Sequence, residues 1–124
     1  MEILTIEATN ETPAVHLNAS EGQFNFTGKS YPENVNEFYG STLNYIQDYI
    51  KNPAEKTTLE FAWSYYNTAT SKIMIKIIKE LKTVVDAGKE FQINWHCKSS
   101  DELMIEKGEE LKDLLDVNFS VIQF

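Results

Sequence analysis

The chain has 124 residues, with 19 Asp and Glu against 11 Lys and Arg and a net charge of -8. That length suits a single core, because two would each bury too little surface to hold together, and 42% apolar content belongs to a folded chain, not a disordered one. The negative excess repels phosphate backbones and argues against general nucleic-acid binding, and no apolar run nears the ~20 residues of a membrane span.

The N-terminus, MEILTIEATNET, lacks the basic start and apolar core of a signal peptide, which leads to the expectation of a cytoplasmic protein. Three short strands come first: Ile3, Leu4 and Ile6, then Val15 and Leu17, then Phe24 and Phe26. Ser20-Glu21-Gly22 supplies turn chemistry between the last two. After Pro32, a helix is predicted from Val35, Phe38, Tyr39, Thr42, Ile46, Tyr49 and Ile50, which share one face at 3.6-residue spacing. Asn34 and Glu37 have the spacing of a capping box, and Asn52-Pro53 ends the segment. The period then changes to two. Leu59, Phe61, Trp63 and Tyr65 alternate with polar or small residues, as in a strand with one apolar face.

A second helix is predicted from about Ala69 to Ala87, with Ile73, Met74, Ile77, Ile78, Leu81, Val84 and Val85 as its stripe and Gly88 as terminator. Lys72, Lys76, Lys79 and Lys82 line its other side, where a solvated face is the plain reading and an acidic partner the sharper one. Phe91, Ile93, Trp95 and Cys97 alternate in the next strand. The third helix starts near Asp101, with Ser99 and Glu102 at capping-box spacing and Leu103, Met104, Leu111, Leu114 and Leu115 as its stripe. Phe119, Val121 and Phe124 form a last strand. The order β-β-β-α-β-α-β-α-β implies an α/β domain over residues 1–124. Its mixed sheet would carry the three helices mainly on one face, because polar residues at every second strand position leave the other face open.

Little in the chain suggests catalysis. His96 and Cys97 are strand neighbours whose side chains point to opposite faces, so they cannot chelate one ion. His16 has no ligand partner at usable spacing, and Tyr31 with His96 lacks an oriented base. No glycine-rich phosphate loop is present. No metal, cofactor or enzymatic activity is expected. The most informative turn is Tyr66-Asn67-Thr68-Ala69-Thr70-Ser71-Lys72, which follows a strand and opens a helix. Its hydroxyls meet unpaired backbone N–H groups and the positive end of a helix dipole, a setting that suits both capping and a phosphate.

Gly28-Lys29-Ser30-Tyr31-Pro32-Glu33-Asn34, followed by Glu37-Phe38-Tyr39-Gly40, resembles the first signature block of the SiaC-type regulatory phosphoproteins of bacteria. The Asn67 to Lys72 segment resembles the family's second block, and Trp95-His96 lies at matching order and spacing. The resemblance implies a single domain like the STAS domain of anti-sigma-factor antagonists, acting by partner switching and not by catalysis. A cognate kinase would phosphorylate one threonine and a PP2C-type phosphatase would remove the phosphate. The unmodified form would bind and activate a diguanylate cyclase. The acceptor matches Thr68. Ala69 and Thr70 replace the family's two serines, which leaves Thr70 and Ser71 as alternative acceptors. The implied partner surface comprises Tyr31, Pro32, Glu33, Asn34, Asn67, Thr68, Ser71 and Lys72, with Tyr31 as its aromatic anchor. The competing reading is a constitutive binding module or scaffold, never phosphorylated, that pairs with a second copy through its open sheet face.

Overall fold

A computed structural model describes residues 1–124. The elements are β1 (Leu4–Ile6), β2 (Ala14–Asn18), β3 (Gln23–Ser30), α1 (Val35–Tyr49), β4 (Lys56–Tyr66), α2 (Thr68–Asp86), β5 (Glu90–Cys97), α3 (Glu102–Leu114) and β6 (Asn118–Gln123). They form one six-stranded sheet in chain order, β1-β2-β3-β4-β5-β6. Pairing is antiparallel from β1 to β3 and parallel from β3 to β6. Each parallel crossover moves one strand in the same direction. Right-handed crossovers that all step the same way must put α1, α2 and α3 on the same face. The expected α/β domain with one-sided helices is the observed one. No helix is long and apolar enough to cross a membrane.

The core lies between sheet and helices. Phe24, Phe26, Leu59, Phe61, Ile93 and Trp95 point into it from the strands and meet Tyr39, Ile46, Met74, Ile77, Ile78 and Leu81 from the helices. The opposite face is polar and internally bonded. Gln23 Nε2 donates to Asn25 (2.7 Å) and to Glu60; Asn94 donates to Glu60 at 3.4 Å; Gln92 donates to Asn94 and Ser120, both at 3.1 Å. His96 Nε2 lies 2.9 Å from Glu60 Oε1.

Four expectations need correction. The capping residue of α3 is Asp101, which accepts from Met104 N at 3.1 Å; Ser99 instead donates its backbone N–H to Phe124 O. The predicted stripe of α3 is rotated: Leu103 and Leu114 face solvent, and Met104, Gly108 and Leu111 are buried. A side chain at position 108 would strike Trp95, so the helix seats its backbone there and turns its neighbours outward. In β4 the alternation slips by one. Gly28 pairs with Trp63 but Lys29 pairs with Tyr65, so Ser64 has no partner. This bulge, opposite Gly28 at φ +113, turns Tyr65 out (50% exposed) and Tyr66 in (8% exposed). Val85, the last residue of the α2 stripe, is also exposed.

Candidate functional site

The carboxyl ends of β3 and β4 lie side by side, and each leads towards a helix. In open α/β sheets this edge collects ligands and partners. At the end of β4, Asn67 adopts extended backbone (φ -92, ψ 176) and caps α2, its Oδ1 accepting from Thr70 N at 2.9 Å. Its backbone oxygen accepts from Ser71 N at 3.0 Å, and its N–H donates to Ser30 O at 3.1 Å. Asn67 therefore engages the N–H groups of Thr70 and Ser71. Those of Thr68 and Ala69 have no partner within the helix.

The hydroxyls of this turn have different surroundings. Thr68, the first helical residue, is exposed, and Ser71 is half-buried. Thr70 is 1% exposed, and its Oγ1 donates to Ser30 O at 3.0 Å and lies 2.8 Å from Ser30 Oγ. That burial runs against Thr70 as an alternative phosphate acceptor, because its hydroxyl is sealed beneath the turn.

Thr68 and Ser71 border an open groove of about 510 Å³ between this turn and α3, with Tyr65, Tyr66 and Asn67 on one side and Lys107, Glu110, Leu111 and Leu114 on the other. Lys107 Nζ sits 4.4 Å from the centre of the Tyr66 ring, close enough for cation–π attraction. Burial, and after it the charge of Glu110, pushes the Tyr66 phenol up to about 12. Leu114, 76% exposed, gives the groove an apolar rim. Tyr31 follows Ser30 at the end of β3, and its ring meets Tyr65 edge-on, centroids 5.7 Å apart. Tyr31 is 37% exposed.

Not every expected site residue joins this surface. Glu33 and Asn34 line a separate shallow groove with Glu37 and Phe38 at the start of α1, where Asn34 accepts from Glu37 N at 3.1 Å. Pro32 is half-buried and lines neither groove. Lys72 opens a neighbouring groove with Lys76 and Lys79, and neither lysine ion pair of the molecule, Lys51–Asp48 or Lys89–Glu55, involves these three. Cys97 is buried, and that burial, with Asp101 and Glu109 nearby, pushes its thiol up; His96 faces the other side of the sheet. No three His, Cys, Asp or Glu side chains are grouped to hold a metal ion.

Sequence reading missed Tyr65, Lys107, Glu110 and Leu114. Gly28 inside a strand pattern was a signal for the bulge that exposes Tyr65. Nothing local marks the three residues of α3, which reach the turn only through the tertiary fold.

The sequence matches the SiaC family of regulatory phosphoproteins over residues 6–124. It is 26% identical to an uncharacterised protein of Pseudomonas aeruginosa, over 98% of this chain and 96% of that protein. The fold is similar to the crystal structure of apo-SiaC from P. aeruginosa, with a TM-score of 0.87 and 25% identity, covering 98% of this chain and 99% of that one. It is similar at a TM-score of 0.90, with the same identity and coverage, to a chain in the crystal structure of the P. aeruginosa diguanylate cyclase SiaD with its activator SiaC.

Proposed function

Because the chain belongs to the SiaC family of regulatory phosphoproteins, we propose that it is a partner switch set by phosphate on Thr68, with Ser71 the only other reachable hydroxyl of the turn. The observation that carries this reading is the exposure of Thr68 as the first residue of a capped helix, on the rim of a groove with exposed aromatic and aliphatic side chains. A phosphate there adds about -1.5 to -2 charge and three acceptor oxygens. The unpartnered N–H groups of Thr68 and Ala69 and the helix dipole receive it, so the fold tolerates the modification.

A partner that covers the groove meets a different balance. Against the neutral hydroxyl it buries Tyr31, Tyr65 and Leu114. Against the phosphate it must desolvate a charge for which it has no counter-ion, at a cost on the order of several kcal/mol. In the P. aeruginosa complex the relative of this chain activates a diguanylate cyclase, and we assign the same class of output partner here, with a cognate kinase and a PP2C-type phosphatase as writer and eraser. Asn67, Ser71 and Tyr31 belong to the contact surface, and Lys72 extends it along α2. Pro32, Glu33 and Asn34 lie outside that groove, before α1, and offer the same partner a second, separate contact region. The polar, internally bonded open face argues against a constitutive scaffold paired through the sheet.

The test is affinity for the diguanylate cyclase of the same organism, with phosphate mapped by mass spectrometry. Thr68→Ala should bind like the unmodified protein and ignore the kinase. Thr68→Asp should bind roughly tenfold more weakly, about 1.4 kcal/mol. Neither should unfold, because Asn67 remains as cap. Equal affinity for wild type and both variants, or a phosphate found only at another residue, would end the Thr68 reading.

A further inference from the structure

Beneath the turn, three elements meet through buried hydroxyls: Ser30 at the end of β3, Tyr39 in α1 and Thr70 in the first turn of α2, none more than 1% exposed. Tyr39 Oη lies 2.6 Å from Ser30 Oγ, and Ser30 Oγ lies 2.8 Å from Thr70 Oγ1. Thr70 Oγ1 donates to Ser30 O at 3.0 Å. Each hydroxyl has one proton, which fixes the direction of the chain. Thr70 spends its proton on the Ser30 carbonyl, so Ser30 Oγ must donate to Thr70, and Tyr39 must donate to Ser30. The same carbonyl also receives the Asn67 N–H, so two groups of the β4–α2 turn converge on one backbone oxygen of β3.

We infer that Ser30, Tyr39 and Thr70 form a tether that fixes the first turn of α2 to the end of β3, with Thr70 as the positioning residue, so that Thr68 and Tyr31 belong to one rigid surface. Both residues gain their placement directly. Thr68 lies between the tethered Asn67 and Thr70. Tyr31 follows Ser30 and leans on Tyr65 of the adjoining strand. An apolar side chain at position 70 would remove the carbonyl's second donor and leave the Ser30 hydroxyl without an acceptor, a loss confined to this corner. The surface role of Thr68 rests on the preceding functional reading; the tether itself does not.

Amide hydrogen exchange and phosphate mapping on protein recovered from its own host test this together, using Thr70→Val, Thr70→Ser and the milder Tyr39→Phe. Thr70→Val should speed exchange at Asn67 and Ser71 at least tenfold while Ile93, in the centre of the sheet, is unchanged. Phosphate at Thr68 should fall about fivefold. Thr70→Ser, which keeps the hydroxyl, should restore both. Tyr39→Phe removes only the first donor and should move exchange the same way by about threefold, which decides the matter if Thr70→Val fails to fold. Unchanged exchange at Asn67 and Ser71, or a rise at Ile93 by the same factor, would overturn the tether and leave Thr70 an ordinary core residue. Wild-type protein without phosphate at Thr68, but with the expected exchange pattern, would overturn the acceptor reading alone.

Discussion

Tyr39 and Tyr66 are both pushed up to about 12 from the usual 10, chiefly by burial; in Tyr66 the charge of Glu110 adds to it, and in Tyr39 the neighbouring hydroxyls of Ser30 and Thr70 work the other way. A raised phenol favours the neutral form in the folded state. The stability this contributes is therefore fully present below pH 10 and is lost as the pH rises through 12. Of the six tyrosines, these two should ionise together with a cooperative loss of circular dichroism between those values, not before it. Six tyrosines ionised with the dichroism intact would show the prediction wrong. At this scale the capped, hydroxyl-rich turn was readable, because a cap and a hydroxyl cluster are local features. Tyr65 was not. Period-two alternation assigns it to the core, and only the bulge opposite Gly28 turns it to the surface beside Tyr31.

Among the elements, α3 departs most from its sequence pattern, and Gly108 is the reason. A Cβ there would lie 2.5 Å from Trp95 Cδ1 and 2.7 Å from Nε1, whereas now the indole N–H donates to Met104 O at 3.0 Å. Periodicity finds a helix face by its large apolar side chains. It is blind to a helix whose seat depends on having no side chain, so Leu103 and Leu114 look like core. Gly108→Ala gains helix propensity of about 1 kcal/mol but must push α3 off the sheet. The net expectation is a loss of about 1–3 kcal/mol in a denaturant titration, with red-shifted tryptophan emission as Trp95 meets water. A variant more stable than wild type would show that α3 yields freely. The same displacement would widen the groove at Thr68, whose far wall is Lys107, Glu110 and Leu114. By contrast α1 and α2 were legible nearly to their ends, because Asn34 and Asn67 cap them with side chains and their buried faces follow 3.6-residue spacing.

For the molecule as a whole, alternation in β4 and β5 was enough to foresee a sheet covered on one side, since Glu60, Asn94 and His96 could not all lie beneath helices. The meeting of β3, α1 and α2 at Ser30 could not be foreseen, because it joins residues 40 positions apart through hydroxyls that look like surface residues. The identity of strand order and chain order has a further consequence, for synthesis. Every strand after the first pairs with the strand made just before it, so no segment waits for a partner still to be translated. Nascent chains stalled with residues through Cys97 outside the ribosome should already protect β1 to β4 and α1 and α2 from protease, with cleavage beyond Glu90; cleavage within β3 or β4 would contradict this. On this order Thr68 is in place before the wall of α3 exists, and a kinase working on the growing chain would meet the threonine with its groove still unbuilt.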